Sequence, residues 1–171
     1  MYAFIRRAGG VAAALLLLAG CGTDSQTSAV ATSTTRGTLV ENPPLRIASL
    51  SAGALAAELT ASGASGQALL QIAGTPACGV DFHYFHYETV DPAGNPIRDS
   101  GALMIPTGMG SCTGARPIVL YAHGTDTDKA LNIADITDPS NSEGALIATM
   151  FAAQGYIVVA PNYAGYDDST L

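Results

Sequence analysis

The chain has 171 residues, of which fourteen are acidic and seven basic, for a net charge of −7. So acidic a balance argues against nucleic-acid binding, which needs a basic patch. It keeps a protein soluble and says little about a substrate.

The N-terminus comes first in chain order. Arg6 and Arg7 precede the apolar block VAAALLLLAG, which runs directly into Cys21. A charged start, a short apolar stretch and small residues before a cleavage point read as an export signal over residues 1–20. The block is about half the ~20 apolar residues that a membrane-spanning helix needs, and a short buried helix is the alternative. Leu-Ala-Gly-Cys at 18–21 resembles the lipobox of bacterial lipoproteins. That resemblance implies lipidation of Cys21, with several acyl chains holding the protein to a membrane where one alone is marginal. Gly22 in place of Asp after the cysteine implies, by the same resemblance, the outer membrane. Loss of residues 1–20 removes two of the seven basic residues, leaving five against fourteen acids, or −9.

Residues 21–44 are rich in Ser and Thr, poor in large apolar residues and end in two prolines, so they read as a flexible tether. A domain is expected over 45–171. SLSAGALAAELTASG has a serine cap candidate, an Ala/Leu body and Gly63 to stop it, and predicts a short helix. GQALLQIAG is ambiguous between helix and strand. Two strands follow, at roughly 80–90 and 98–106, joined by the turn DPAGNP. Aromatics at both parities of the first strand (Phe82 and Tyr84, Phe85 and Tyr87) predict partial cover on both of its faces. His83 and His86 lie an odd number of residues apart on that strand. Their side chains face opposite ways, so they do not share one metal ion.

IVLYA at 118–122 and YIVVA at 156–160 are continuous apolar runs of the kind found in parallel strands covered on both faces. Between them a helix is expected, capped by Asp138 with Pro139 or by Ser142. Its apolar stripe is Leu146, Ile147, Met150 and Phe151, and Gly155 follows its end. Strand, helix, strand makes a βαβ unit. The fold class is α/β, an antiparallel hairpin leading into a parallel unit. Ligands in such sheets sit at the C-terminal strand ends, where the sequence reads HGTDTD after the first run and PNYAGYDDS after the second. Gly124 permits a sharp turn, which directs the backbone N–H of Thr125 into the crevice as a donor to a developing oxyanion. A glycine turn without chemistry is the alternative.

GALMIPTG, RPIVLYAHGT and FAAQGYIVVAPNYAGYDDS, in that order and spacing, resemble the N-terminal part of bacterial secreted lipase-like esterases of the α/β-hydrolase superfamily. The likeness covers residues 78–171. It implies that His123-Gly124-Thr125 after the third strand forms the oxyanion loop, with the Thr125 N–H as donor and His123 bracing the loop. It also implies that Tyr163, Gly165 and Tyr166 line the mouth of the site. The family's catalytic order is Ser, acid, His, after the fifth strand, yet no G-x-S-x-G occurs in these residues and no histidine follows His123. The expectation is a partial hydrolase sheet that stops before the nucleophile strand, with IVLYA left as a bare apolar edge.

Other readings of the chemistry fail. Gly110-Ser-Cys-Thr-Gly114 fits a cysteine nucleophile elbow, but a proline-led strand follows where a helix is needed. Asp126 and Asp128 suggest a calcium loop, yet Leu131 and Thr137 stand where Gly and Glu belong. Asp167 and Asp168 read as loop charges. With Cys21 assigned to the lipobox, Cys78 and Cys112 form an even pair, read as a disulfide in an exported protein, with free thiols as the alternative. No metal and no cofactor is expected. The expected function is a carboxylic-ester hydrolase acting on a small-molecule or lipid ester through a triad beyond residue 171. The alternative is a non-catalytic surface lipoprotein. Substrate, oligomeric state and the preference for esters over peptides are not legible in the residues.

Overall fold

The structure of the protein, a computed structural model, describes residues 36–138 and 141–166. The export signal, Cys21, Pro139 and the Asp167-Asp168 pair lie outside the described residues. Three antiparallel strands lead: β1 (Leu45–Leu50), β2 (Gly79–Val90) and β3 (Pro96–Thr107). Between β1 and β2 stand helices α1 (Ala52–Ala61) and α2 (Ala64–Ala73). After β3 come β4 (Ile118–Leu120), helix α3 (Ser142–Met150) and β5 (Ile157–Pro161). The sheet order is β1-β2-β3-β5-β4, with β5 antiparallel to β3 and parallel to β4. The hairpin and the parallel strand-helix-strand unit expected from the sequence are both present.

Registry explains where the core forms. Phe82 pairs with Met104, Met104 with Val158, and Ala102 with Ala160, so these side chains share one face. All five are fully or almost fully buried, beneath Leu55 and Leu59 of α1 and Ile147 and Ala148 of α3. The opposite face carries Phe85, Leu103, Val159 and Pro161. There a groove of about 360 Å³ is bounded by Leu39 and Pro44 of the segment before β1.

Several elements differ from expectation. β1 was not foreseen, because most of its side chains are exposed and its strand character comes from pairing with β2. Residues 36–44, expected as the end of a tether, are hydrogen-bonded to β2: the Val40 amide donates to His86 O at 2.9 Å and the Glu88 amide to Thr38 O at 2.9 Å. GQALLQIAG resolves as helix α2. The cap of α3 is Asn141, whose side chain accepts from the Gly144 amide at 2.9 Å, not Asp138 or Ser142. The buried face of α3 is Gly144, Ile147, Ala148 and Thr149, so only Ile147 of the expected stripe is fully covered. Gly155 does take the left-handed conformation that ends the following turn (φ 99°). β5 is largely covered, and β4 is the bare apolar edge expected for IVLYA, with Ile118 67% and Leu120 74% exposed.

Candidate active site at the ends of β4 and β5

Because β4 and β5 are parallel neighbours, their C-terminal ends place two loops side by side, residues 121–138 and 162–166. The contact is aromatic. His123, 3% exposed, stacks on Tyr163 with ring centroids 4.2 Å apart and meets the edge of Tyr166 at 5.2 Å. The Tyr163 hydroxyl donates to His123 O at 2.7 Å, and the Tyr166 hydroxyl donates to Asp126 O. Gly165 makes the turn between the tyrosines at φ 102°, in the left-handed region that favours glycine. His123, Gly124, Thr125, Tyr163, Gly165 and Tyr166 are thus gathered in one place.

The geometry of one peptide unit matters most. His123 Nδ1 donates to Gly124 O at 2.7 Å. The unit is planar and trans, so the Thr125 N–H points opposite to that carbonyl, away from the imidazole. Among the described residues the Thr125 amide has no hydrogen-bond partner, and the residue is exposed. The bond to Gly124 O sets the proton on Nδ1 and leaves Nε2 buried and unpaired among the described residues.

On the other flank stands Glu143, in the first turn of α3. Its Oε1 accepts from the Gly124 amide at 2.9 Å and from the Tyr121 hydroxyl at 2.6 Å. Burial, followed by the hydrogen bond to Glu143 and its charge, pushes the Tyr121 phenol up to about 12, so it stays a donor. Beneath the loops lies a buried polar group. Asn162 Nδ2 donates to Ser100 Oγ at 2.7 Å and to Leu131 O at 3.2 Å. Neighbouring Asp99 is 1% exposed, and burial raises its pKa against the weaker opposing effects of the Ser100 amide and His123.

Glu143, Tyr121, Asp99 and Asn162 were not singled out in the sequence. An acid in a helix's first turn is too common to be a signal, and its loop partner cannot be read from spacing. His83 and His86 go separately to the segment before β1, His83 Nδ1 to Pro44 O at 3.2 Å and His86 Nδ1 to Glu41 at 3.1 Å. Among the described residues no group of three or more His, Cys, Asp or Glu is placed to hold a metal ion. Cys78 and Cys112 are disulfide-bonded, Cα atoms 5.5 Å apart. They sit at the start of β2 and between β3 and β4, the end of the sheet away from Thr125. Cys112 lies in a single turn of 3-10 helix and is buried, as no nucleophile elbow is.

No protein-family model matches the chain, and no curated protein sequence matches it. Solved structures do. The rice cell wall degrading esterase LipA from Xanthomonas oryzae aligns at 30% identity and TM-score 0.58, covering 79% of this chain and 31% of that one. Its N228W mutant aligns at 28% identity and TM-score 0.59 with the same coverage. The chain carries part of an α/β-hydrolase fold. A Legionella pneumophila protein at 22% identity and TM-score 0.57 has the same hydrolase fold, over 78% of this chain and 32% of its own. The chain spans about a third of the length of these hydrolase structures. In the sheet β2, β3, β5 and β4 run in that order, with β1 at the outer edge.

Proposed function

We propose that this chain is the oxyanion-loop portion of a carboxylic-ester hydrolase whose Ser-Asp-His triad lies in sequence beyond residue 171. The observation that carries the reading is the Thr125 N–H. It is unpartnered among the described residues, follows the C-terminal end of a parallel strand, and belongs to a peptide unit whose carbonyl, Gly124 O, is held by His123 Nδ1, next to a unit held by Glu143 and Tyr163. A donor fixed before the reaction costs no reorganisation when charge develops, which is why such amides stabilise tetrahedral intermediates. In the proposed reaction a serine attacks the ester carbonyl and its proton passes to the triad histidine. The negative oxygen settles between the Thr125 N–H and the amide after the serine. Collapse breaks the ester C–O bond as the histidine returns the proton to the departing alcohol, and water, deprotonated by the same histidine, then attacks the acyl-serine and releases the acid. His123 braces the loop in this scheme, and the base is the triad histidine. Tyr163 and Tyr166 border the substrate.

The esterase neighbours support ester chemistry, and a small-molecule or lipid ester is the proposed substrate class. Export as a lipoprotein anchored through Cys21 rests on LAGC, and the Cys78–Cys112 disulfide fits an oxidising compartment. The test uses the protein expressed from its full reading frame. Thr125→Pro deletes the donor and should lower kcat on p-nitrophenyl butyrate about 10²- to 10³-fold with little change in KM. Thr125→Val keeps the N–H and should retain most activity. Full activity in Thr125→Pro, or equal loss in both variants, would falsify the oxyanion role.

A further inference from the structure

The loop carrying His123, Gly124 and Thr125 is tied on one flank by the tyrosines after β5. On the other, a single side chain holds the Gly124 amide. We propose that Glu143 is the positioning residue of this loop, fixing Gly124 so that the Thr125 N–H keeps its aim. The inference rests on the reading of Thr125 as oxyanion donor given above.

Glu143 acts from a rigid base. The preceding residue but one, Asn141, caps α3 and donates through Nδ2 to Asn132 O and Asp135 O, both at 2.8 Å, which locks the helix start to the loop. The next residue is Gly144, where a Cβ would lie 2.4 Å from Ile133 O, so the helix start is pressed against backbone. The second donor to Glu143, Tyr121, is anchored in turn, its amide donating to Val159 O at 2.9 Å. The sheet, Tyr121, Glu143 and Gly124 therefore form one continuous chain of contacts.

A glutamate in a helix's first turn favours the helix wherever its carboxylate points, because the N-terminal end is electropositive. Nothing in that role requires it to face a loop. Here one oxygen accepts both the Gly124 amide and the Tyr121 phenol, donors on either side of His123. A carboxylate near a developing oxyanion also repels it. The two donors and the helix end offset that repulsion, and the gain is a loop held without reorganisation.

The test compares Glu143→Ala and Glu143→Gln in the protein from its full reading frame, by amide hydrogen exchange at Gly124 and by steady-state ester hydrolysis. Glu143→Ala should speed Gly124 exchange about tenfold or more, since a charge-assisted hydrogen bond is lost. It should lower kcat about 10²-fold at nearly constant KM, as a small misplacement does. Glu143→Gln keeps an acceptor oxygen and should recover most of both. Faster exchange with unchanged kcat, or a change in KM alone, overturns the positioning role. Unchanged exchange in Glu143→Ala overturns the contact itself. A Thr125→Pro variant with full kcat overturns the underlying reading and the catalytic part of this inference, while exchange still decides whether Glu143 holds the loop.

Discussion

The imidazole of His123 acts on the carbonyl of its own neighbour, and a planar peptide transmits that hold to the next amide. Below it Asp99 is a carboxyl group with little solvent and one backbone donor, the Ser100 amide at 3.0 Å. Burial disfavours its charged form and outweighs the opposing effects, so its folded-state pKa lies above the usual carboxylate value. The native chain therefore binds more protons than the unfolded one between the two pKa values. Asp99 contributes stability that is complete below the unfolded pKa of about 3.9 and is lost as pH rises through the folded value. Asp99→Asn removes the penalty. Its stability relative to the native chain, measured by urea unfolding, should be near zero or negative at the acid end and rise toward neutral pH. A difference that stays flat across that range would show that Asp99 ionises as freely when folded as when unfolded.

Some elements are specified by local sequence signals, and others only by partners distant in the chain. The cap of α1 at Ser51, accepting from the Ala54 amide at 3.1 Å, and the βαβ unit follow from periodicity and punctuation. β1 escaped because its burial pattern is mostly exposed and its strand exists through β2. Asn141 caps α3 through a local bond from the Gly144 amide, which its residue type suits; what spacing does not show is that its Nδ2 also reaches Asn132 O and Asp135 O. The helical hairpin of α1 and α2 gives a paired test. Gly66 lies at the crossing, where a Cβ would fall 1.9 Å from Leu59 O, and backbone cannot yield as a side chain would. Gly66→Ala should destabilise by about 1–3 kcal/mol or more through overpacking. Gly53, in α1, has nothing within 4 Å of the same position, and Gly53→Ala should stabilise by up to about 1 kcal/mol. Thermal or urea unfolding reads both, and equal signs would refute the crossing geometry.

For the whole molecule, the continuous apolar composition of IVLYA predicts contact on every side, and that part of the reading is met unevenly. β5 has neighbours on both edges and a core beneath it. β4, with the same composition, has one neighbour among the described residues and leaves Ile118 and Leu120 to solvent. A strand's sequence records the contacts it is suited to make, so the pattern identifies β4 as a strand, and its exposure is the bare edge expected for IVLYA in a sheet without the next strand. An exposed, uncharged apolar edge invites pairing with another strand, and natural edges are commonly blunted by lysine or proline. The 171-residue chain by itself should therefore associate with increasing concentration in sedimentation velocity. Replacing both edge residues, Ile118→Lys with Leu120→Lys, should return it to monomer without altering the far-ultraviolet circular dichroism. The substitutions add charge where side chains already meet water, so the fold loses little. Association that persists in the double variant would locate the adhesive surface elsewhere than this edge.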